Sequence, residues 1–254
     1  MKILFLQLIF LFLFGCSKTE DDTTVGCSSD CTSIVIKFAT LNQESLSDIE
    51  LSLNYTIPFG VEGGAYHRKI VGKKSDKNGQ VNEQFYLKDE ELGNSAKGFF
   101  QILIDDSKLD VDEYIKTDNQ IGNTKTDLGF AIYSITKRDT VIDQTFYFPK
   151  KAFIKINLNN FIPQQDDDYF EVRSQYPFGP KIGNNDILDT EFATGFSGYG
   201  TFMADEINTQ LNIFVAENEK NIISIIRRKN GVSSTEDFPI FVPSNNSIEL
   251  TYNY

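Results

Sequence analysis

The sequence has no tryptophan and a single histidine among its 254 residues, with only three cysteines, two methionines and seven prolines. One imidazole cannot supply the ligand set of a zinc or iron site, so no metal is expected. Three cysteines are too few for a disulfide framework. Basic residues are scarce as well: 24 Lys and Arg stand against 36 Asp and Glu, a net charge of −12. Phosphate-binding surfaces need clustered positive charge, which argues against a nucleic-acid partner. Sugar stacking on tryptophan is excluded by composition. What the chain does have is apolar bulk, 40% hydrophobic with 22 Phe and 11 Tyr, enough to fill a core and to exclude disorder throughout.

Only Ile3–Phe14 is a sustained apolar run, interrupted by Gln7 and preceded by Lys2. A bilayer-spanning helix needs about 20 residues, so this run suits a signal peptide over residues 1–15. It ends in Leu13-Phe14-Gly15-Cys16, which resembles the lipobox of bacterial lipoproteins. That resemblance implies acylation of Cys16 and cleavage in front of it, with the membrane as partner through the lipid. Ser17-Lys18-Thr19-Glu20-Asp21-Asp22 follows and resembles the export signal of Bacteroidota-type surface lipoproteins. The implied address is the outer membrane, facing the exterior. Residues 16–32 then form a tether. Cys27 and Cys31 lie near its end. In an exported protein they are expected to form a local disulfide, with two free thiols as the alternative.

From Ser33 onward the hydrophobic pattern has period two. Ile49, Leu51, Leu53, Tyr55 and Ile57 alternate with polar residues, as do Ile154, Ile156 and Leu158, and Ile248, Leu250, Tyr252 and Tyr254. Successive strand side chains point to opposite faces, so this rhythm predicts strands buried on one side. Asp76-Lys77-Asn78-Gly79 and Asn230-Gly231 read as hairpin turns, because Asn and Gly tolerate positive φ. A sandwich takes about 100 residues. The expected fold is therefore all-β, with two antiparallel β-sandwich domains over residues 33–150 and 151–254, divided near Pro149. The stretch from Ser33 to Leu103, with its Ser75-Asp76-Lys77-Asn78-Gly79 turn, resembles transthyretin-like, carboxypeptidase-regulatory-like modules. That resemblance implies a non-catalytic first domain. The strand rhythm from Ala152 to Tyr254 looks like an immunoglobulin-like or fibronectin-like sandwich.

Catalytic groups are hard to find. His67 has no local nucleophile or carboxylate partner and reads as a surface residue. Gly195-Phe196-Ser197-Gly198-Tyr199 breaks the nucleophile-elbow pattern at its fifth position. Asp105, Asp106, Asp110, Asp112 and Glu113 suit calcium by type, but their spacing does not match an EF-hand loop. Aromatics gather around two loops of the second domain, and Tyr169, Tyr176, Phe178, Phe196 and Tyr199 are candidates for partner binding. The expected function is a non-enzymatic binding or assembly module needing no cofactor, with an unidentified protein or glycan partner. Two alternatives stand beside it: a fimbrillin-like structural subunit, and a cryptic glycan or peptide hydrolase.

Overall fold

A computed structural model describes residues 18–21, 27, 29–60, 64–116, 128–180 and 198–254. These residues are almost entirely β, with short 3-10 turns and no α-helix among them. The strands are β1 (Lys18–Asp21), β2 (Thr32–Ala39), β3 (Glu50–Pro58), β4 (Ala65–Lys74), β5 (Gln80–Phe85), β6 (Phe99–Asp105), β7 (Leu128–Ile132) and β8 (Val141–Tyr147). They continue with β9 (Lys151–Asn159), β10 (Tyr169–Tyr176), β11 (Gly179–Pro180), β12 (Gly198–Met203), β13 (Asn208–Ala216), β14 (Lys220–Lys229), β15 (Val232–Phe241) and β16 (Ile248–Asn253).

The period-two pattern produces two sandwiches. In the first, sheet β1-β4-β3-β6-β7 faces sheet β11-β8-β2-β5. Ile34, Ile36 and Phe38 from β2 meet Leu51, Leu53 and Tyr55 from β3 and Phe100, Ile102 and Ile104 from β6 in one buried cluster. In the second, sheet β12-β10-β14-β15 faces β13-β9-β16. Its cluster contains Ile154, Ile156 and Leu158 from β9, Phe170 and Val172 from β10, and Ile223 and Ile225 from β14.

Both sandwiches have one strand order. Counting β2 to β8 as strands one to seven, and β9, β10 and β12 to β16 likewise, each has a 7-1-4 sheet against a 3-2-5-6 sheet. An immunoglobulin constant domain instead pairs its first strand with its second. The second sandwich thus has the architecture expected of it, but the strand order of its neighbour. Strands one and seven pair in parallel in both, β2 with β8 and β9 with β16, against the expectation of wholly antiparallel sheets. Chain direction reverses at each of seven successive strands, so the first and last run the same way and can only pair in parallel. β1 also pairs in parallel, with β4, in the register Lys18 to Tyr66 through Asp21 to Lys69.

The turn at Ser75–Gly79 locks the first sandwich. Ser75 is buried; its hydroxyl donates to the Leu46 carbonyl (2.8 Å) and accepts the Ile49 N–H (3.1 Å). Asp76 accepts the N–H groups of Asn78 and Gln80 at 2.8 and 2.9 Å, and the Gln80 bond holds its carboxyl below the ordinary range. Gly79 has φ +70°, and a Cβ there would stand 2.3 Å from the Phe38 carbonyl oxygen. No side chain fits.

The sandwiches join end to end. β8 is followed by Phe148, and β9 starts at Lys151. Tyr176, Phe178 and Ala216 pack into the first cluster, with Phe178 edge-on to Phe148 at 5.5 Å. β11 pairs with Tyr147 and Phe146 of β8.

Candidate functional site

The molecule has two free ends separated by this junction, and strand direction assigns residues to each. β9 and β14 run away from the junction, and β10 and β15 run toward it. The far end of the second sandwich, the distal tip, therefore collects residues 160–168, residues 204–207 and the turn Asn230-Gly231. Asn230 and Gly231 have φ of 51° and 76°, as a tight Asn-Gly hairpin requires.

Beneath the tip, Phe161, Phe170 and Tyr254 form an aromatic knot. Phe161 and Tyr254 meet edge-on at 5.0 Å, and the Tyr254 hydroxyl donates to the Arg228 carbonyl at 2.5 Å. The Phe161 N–H donates to the Ile207 carbonyl at 2.9 Å, joining two tip loops. Asp168 is buried at the end of the 160–168 loop. Burial alone would raise its carboxyl, but backbone N–H groups of Gln164, Gln165, Asn230 and Gly231 outweigh that and hold it below the usual value. Thr209 caps the loop before β13, its hydroxyl accepting the N–H groups of Asp205 (3.1 Å) and Glu206 (3.0 Å). Above this braced base Ile162, Met203, Ile207 and Val232 are exposed, Val232 to 71%. Four large apolar side chains, two on hydrogen-bonded loops and two at the tip ends of β12 and β15, make the tip the candidate contact surface.

The aromatics expected to bind a partner do not form one site. Tyr169 starts β10 at the tip, half-buried, while Tyr176 ends the same strand at the junction. Eight strand residues separate their two ends by roughly 23 Å at about 3.3 Å per step. Tyr176 and Phe178 are fully buried, against Phe214 and Phe148 respectively, and offer nothing to a partner. Their place in the sequence beside a Pro and a Gly resembles a loop, but the apolar junction claims them. Tyr199 lies on β12 opposite Gln175, toward the junction. Phe196 and Cys16 lie outside the described residues. Cys27 and Cys31 are disulfide-bonded, with Cα atoms 5.7 Å apart.

His67 is half-buried and its Nδ1 lies 3.0 Å from the Thr56 hydroxyl. The acidic segment is spent on local structure. Asp105 accepts the Ser107 N–H and Asp110 the Asp112 N–H, each within 3.0 Å, and Glu113 pairs with Lys150 at 2.9 Å. Among the described residues, no group of three or more His, Cys, Asp and Glu side chains could hold a metal ion.

Sequence reasoning missed two ionic features. Arg68 and Glu91, both buried, form a two-pronged pair at 2.7 and 2.5 Å, and Glu91 also accepts the Lys88 N–H. Arg68 also borders a crevice of about 280 Å³ between β4 and β5, lined by Ile70, Gly72, Phe85 and Tyr86 as well. At the junction Lys150 bridges Glu44 and Glu113, each at 2.9 Å. These hydrogen bonds hold its ammonium above the ordinary value, and burial beside Glu44 pushes the Tyr114 hydroxyl up to about 12. Two polar clefts of about 540 and 490 Å³ share Lys150, Glu217 and Ser244. The partners in these pairs are 23 or more residues apart, so no local motif announces them.

No family model matches the chain, and no curated protein matches it. Among solved structures it is similar to a streptococcal ancillary pilin, with 9% identity and a TM-score of 0.30 over 89% of this chain and 63% of that one. The TIE protein of Bacillus anthracis gives 11% and 0.29, with 88% of this chain covering 34% of that one. The major pilin BcpA of Bacillus cereus gives 12% and 0.27, over 84% and 69%. The chain thus spans about a third of the Bacillus anthracis protein's length and under two thirds of the streptococcal one's. TM-scores this low carry no argument about shared function.

Proposed function

We propose that this chain is a lipid-anchored, non-catalytic protein of the outer membrane's exterior face, a two-domain stalk divided at residue 150 that presents its distal tip to a protein or glycan partner. The observation that carries this reading is the molecule's polarity. The segment following Cys16 pairs with the first sandwich as β1, and the apolar tip lies at the opposite end, beyond a packed junction. Lipidation of Cys16 is supported by the Leu13–Cys16 motif. Several acyl chains at about 0.8 kcal/mol per buried CH₂ give a firm anchor. The test is labelling of cells with a palmitate analogue, combined with protease shaving of intact cells. Label on the wild type, none on Cys16→Ala, and digestion from outside are expected. An unlabelled wild type would overturn the anchor, and protection in intact cells would overturn the exterior display. Turnover of a glycan or peptide by the purified protein would overturn the non-catalytic part.

The fimbrillin-like reading is favoured by one feature, the parallel pairing of β1 on the edge of β4. A segment that docks on a sheet edge within its own chain is an instance of β-augmentation, and the same edge could take a strand from another copy. Ladders of high molecular weight on unboiled gels would favour assembly; a strictly monomeric protein would refute it.

A further inference from the structure

The end of the first sandwich opposite the junction carries a second apolar surface. Register places the start of β4, the end of β3, the start of β6 and the end of β7 side by side there: Ala65 pairs with Pro58, Thr56 with Phe99, and Phe100 with Ile132. The facing sheet brings the end of β5 and the starts of β2 and β8 to the same end. Exposed at this rim are Tyr133 (75%), Val141 (61%), Phe59 (48%) and Tyr86 (41%). Among the described residues of the first sandwich, the other exposed large apolar side chain is Val111, toward the junction.

The rim is braced. The Gly93 N–H donates to the Ile135 carbonyl at 2.9 Å, the Gly98 N–H to the Tyr55 hydroxyl at 2.9 Å, and the Ser33 N–H to the Thr140 carbonyl at 3.0 Å. Arg138 donates to the Leu87 carbonyl at 2.6 Å and stacks on Tyr86 at 4.4 Å. The disulfide Cys27–Cys31 lies just ahead of β2. These apolar groups are therefore held outward by structure and do not belong to a collapsed loop.

β1 says what lies opposite them. It begins at this same end, Lys18 beside Tyr66, and runs toward the junction. Cys16 precedes Lys18 by two residues, and two residues reach at most about 7 Å. A lipid on Cys16 would therefore tie to the bilayer the end of the first sandwich at which β1 begins, the end that carries the rim. Aromatic side chains are favoured at the boundary between headgroups and hydrocarbon, where ring and polar tip are both accommodated.

We propose that the Phe59, Tyr86, Tyr133 and Val141 rim rests in the headgroup layer of the membrane, so that the protein stands upright with its tip outward. This rests on the lipidation of Cys16 proposed above, and it adds an orientation that a lipid on a free tether would not impose.

The absence of tryptophan makes the test direct. The chain from Cys16 onward is coupled through Cys16, the cysteine outside the disulfide, to phosphatidylcholine vesicles bearing maleimide headgroups. Tryptophan is placed at the rim (Tyr133→Trp) or at the tip (Val232→Trp), both exposed positions. With brominated lipids, Tyr133→Trp is expected to shift to the blue and lose emission, while Val232→Trp does neither. Equal behaviour of the two variants overturns the proposal. So does a blue shift of Tyr133→Trp that follows protein concentration without vesicles, which would assign the rim to a second copy of the chain. Chemical coupling makes the outcome independent of cellular acylation, which the palmitate label reads separately.

Discussion

Tyr254→Ala tests whether the aromatic knot holds the distal tip to the second sandwich. The ring is partly buried and lies 5.0 Å from Phe161 and 5.6 Å from Phe170, with the Lys229 ammonium 4.9 Å above it. Its hydroxyl donates to the Arg228 carbonyl. Half of a large side chain's burial contributes about 1–1.5 kcal/mol. The edge-on ring contact adds about 0.5–1.5 kcal/mol and the hydrogen bond a similar amount. Because these contributions overlap, the expected loss is about 2–3 kcal/mol, against a typical domain stability of about 5–15. Tyr254→Phe keeps the ring and removes the hydroxyl, and should cost about 1 kcal/mol. The assay is urea unfolding of the full chain. With a slope of about 1–3 kcal/mol/M, the alanine variant should bring the transition of the second sandwich forward by about 1–2 M. Hydrogen exchange should locate the change in β9, β10, β14 and β16 and leave β2 to β6 unaltered. An alanine variant within about 0.5 kcal/mol of the wild type, the usual range for surface substitutions, would refute the reasoning. So would a phenylalanine variant as damaged as the alanine one.

Gly79→Ala forces a Cβ to within 2.3 Å of the Phe38 carbonyl at φ +70°, so the first sandwich should lose several kcal/mol and melt early in calorimetry. Arg68→Met leaves the Glu91 carboxylate buried without its guanidinium and should cost about 3–5 kcal/mol; Arg68→Met with Glu91→Leu should recover much of it. A double variant no better than the single one would show that the pair is not what matters. At the junction, the Tyr114 and Lys150 groups are raised above their ordinary values of 10.0 and 10.5. A raised folded value stabilises below the ordinary value and loses that stability as pH climbs through the folded one. The junction should therefore weaken from about pH 10 upward. Spectrophotometric titration should show a tyrosine ionising near 12 in the wild type and lower in Glu44→Gln.

The sequence alone determined the β class, because alternation of side chains is a local property that each strand writes into its own residues. Ile49 to Ile57 and Ile154 to Leu158 are legible in this way, and so is the Asn230-Gly231 turn, whose positive φ values select those two residues. The Ser75–Gly79 motif was legible as a turn. Its second role, holding Leu46 and Ile49 through the Ser75 hydroxyl, depends on chain nearly 30 residues away. Tertiary structure decided what alternation leaves open. Period two does not name a strand's partner, so the shared 7-1-4 and 3-2-5-6 order and the parallel pairings were visible only in the assembled sheets. Nor does it tell a binding aromatic from a core one. Tyr176, on the inward face of β10, and Phe178, just beyond its end, are buried where two sandwiches meet, and burial between packed elements is a property of both partners. The same holds for function. Residues 13–16 carry a lipobox-like motif in the sequence itself, but which end of the molecule β1 enters from, and which loops lie farthest from that end, follows from the directions in which strands pair over long range.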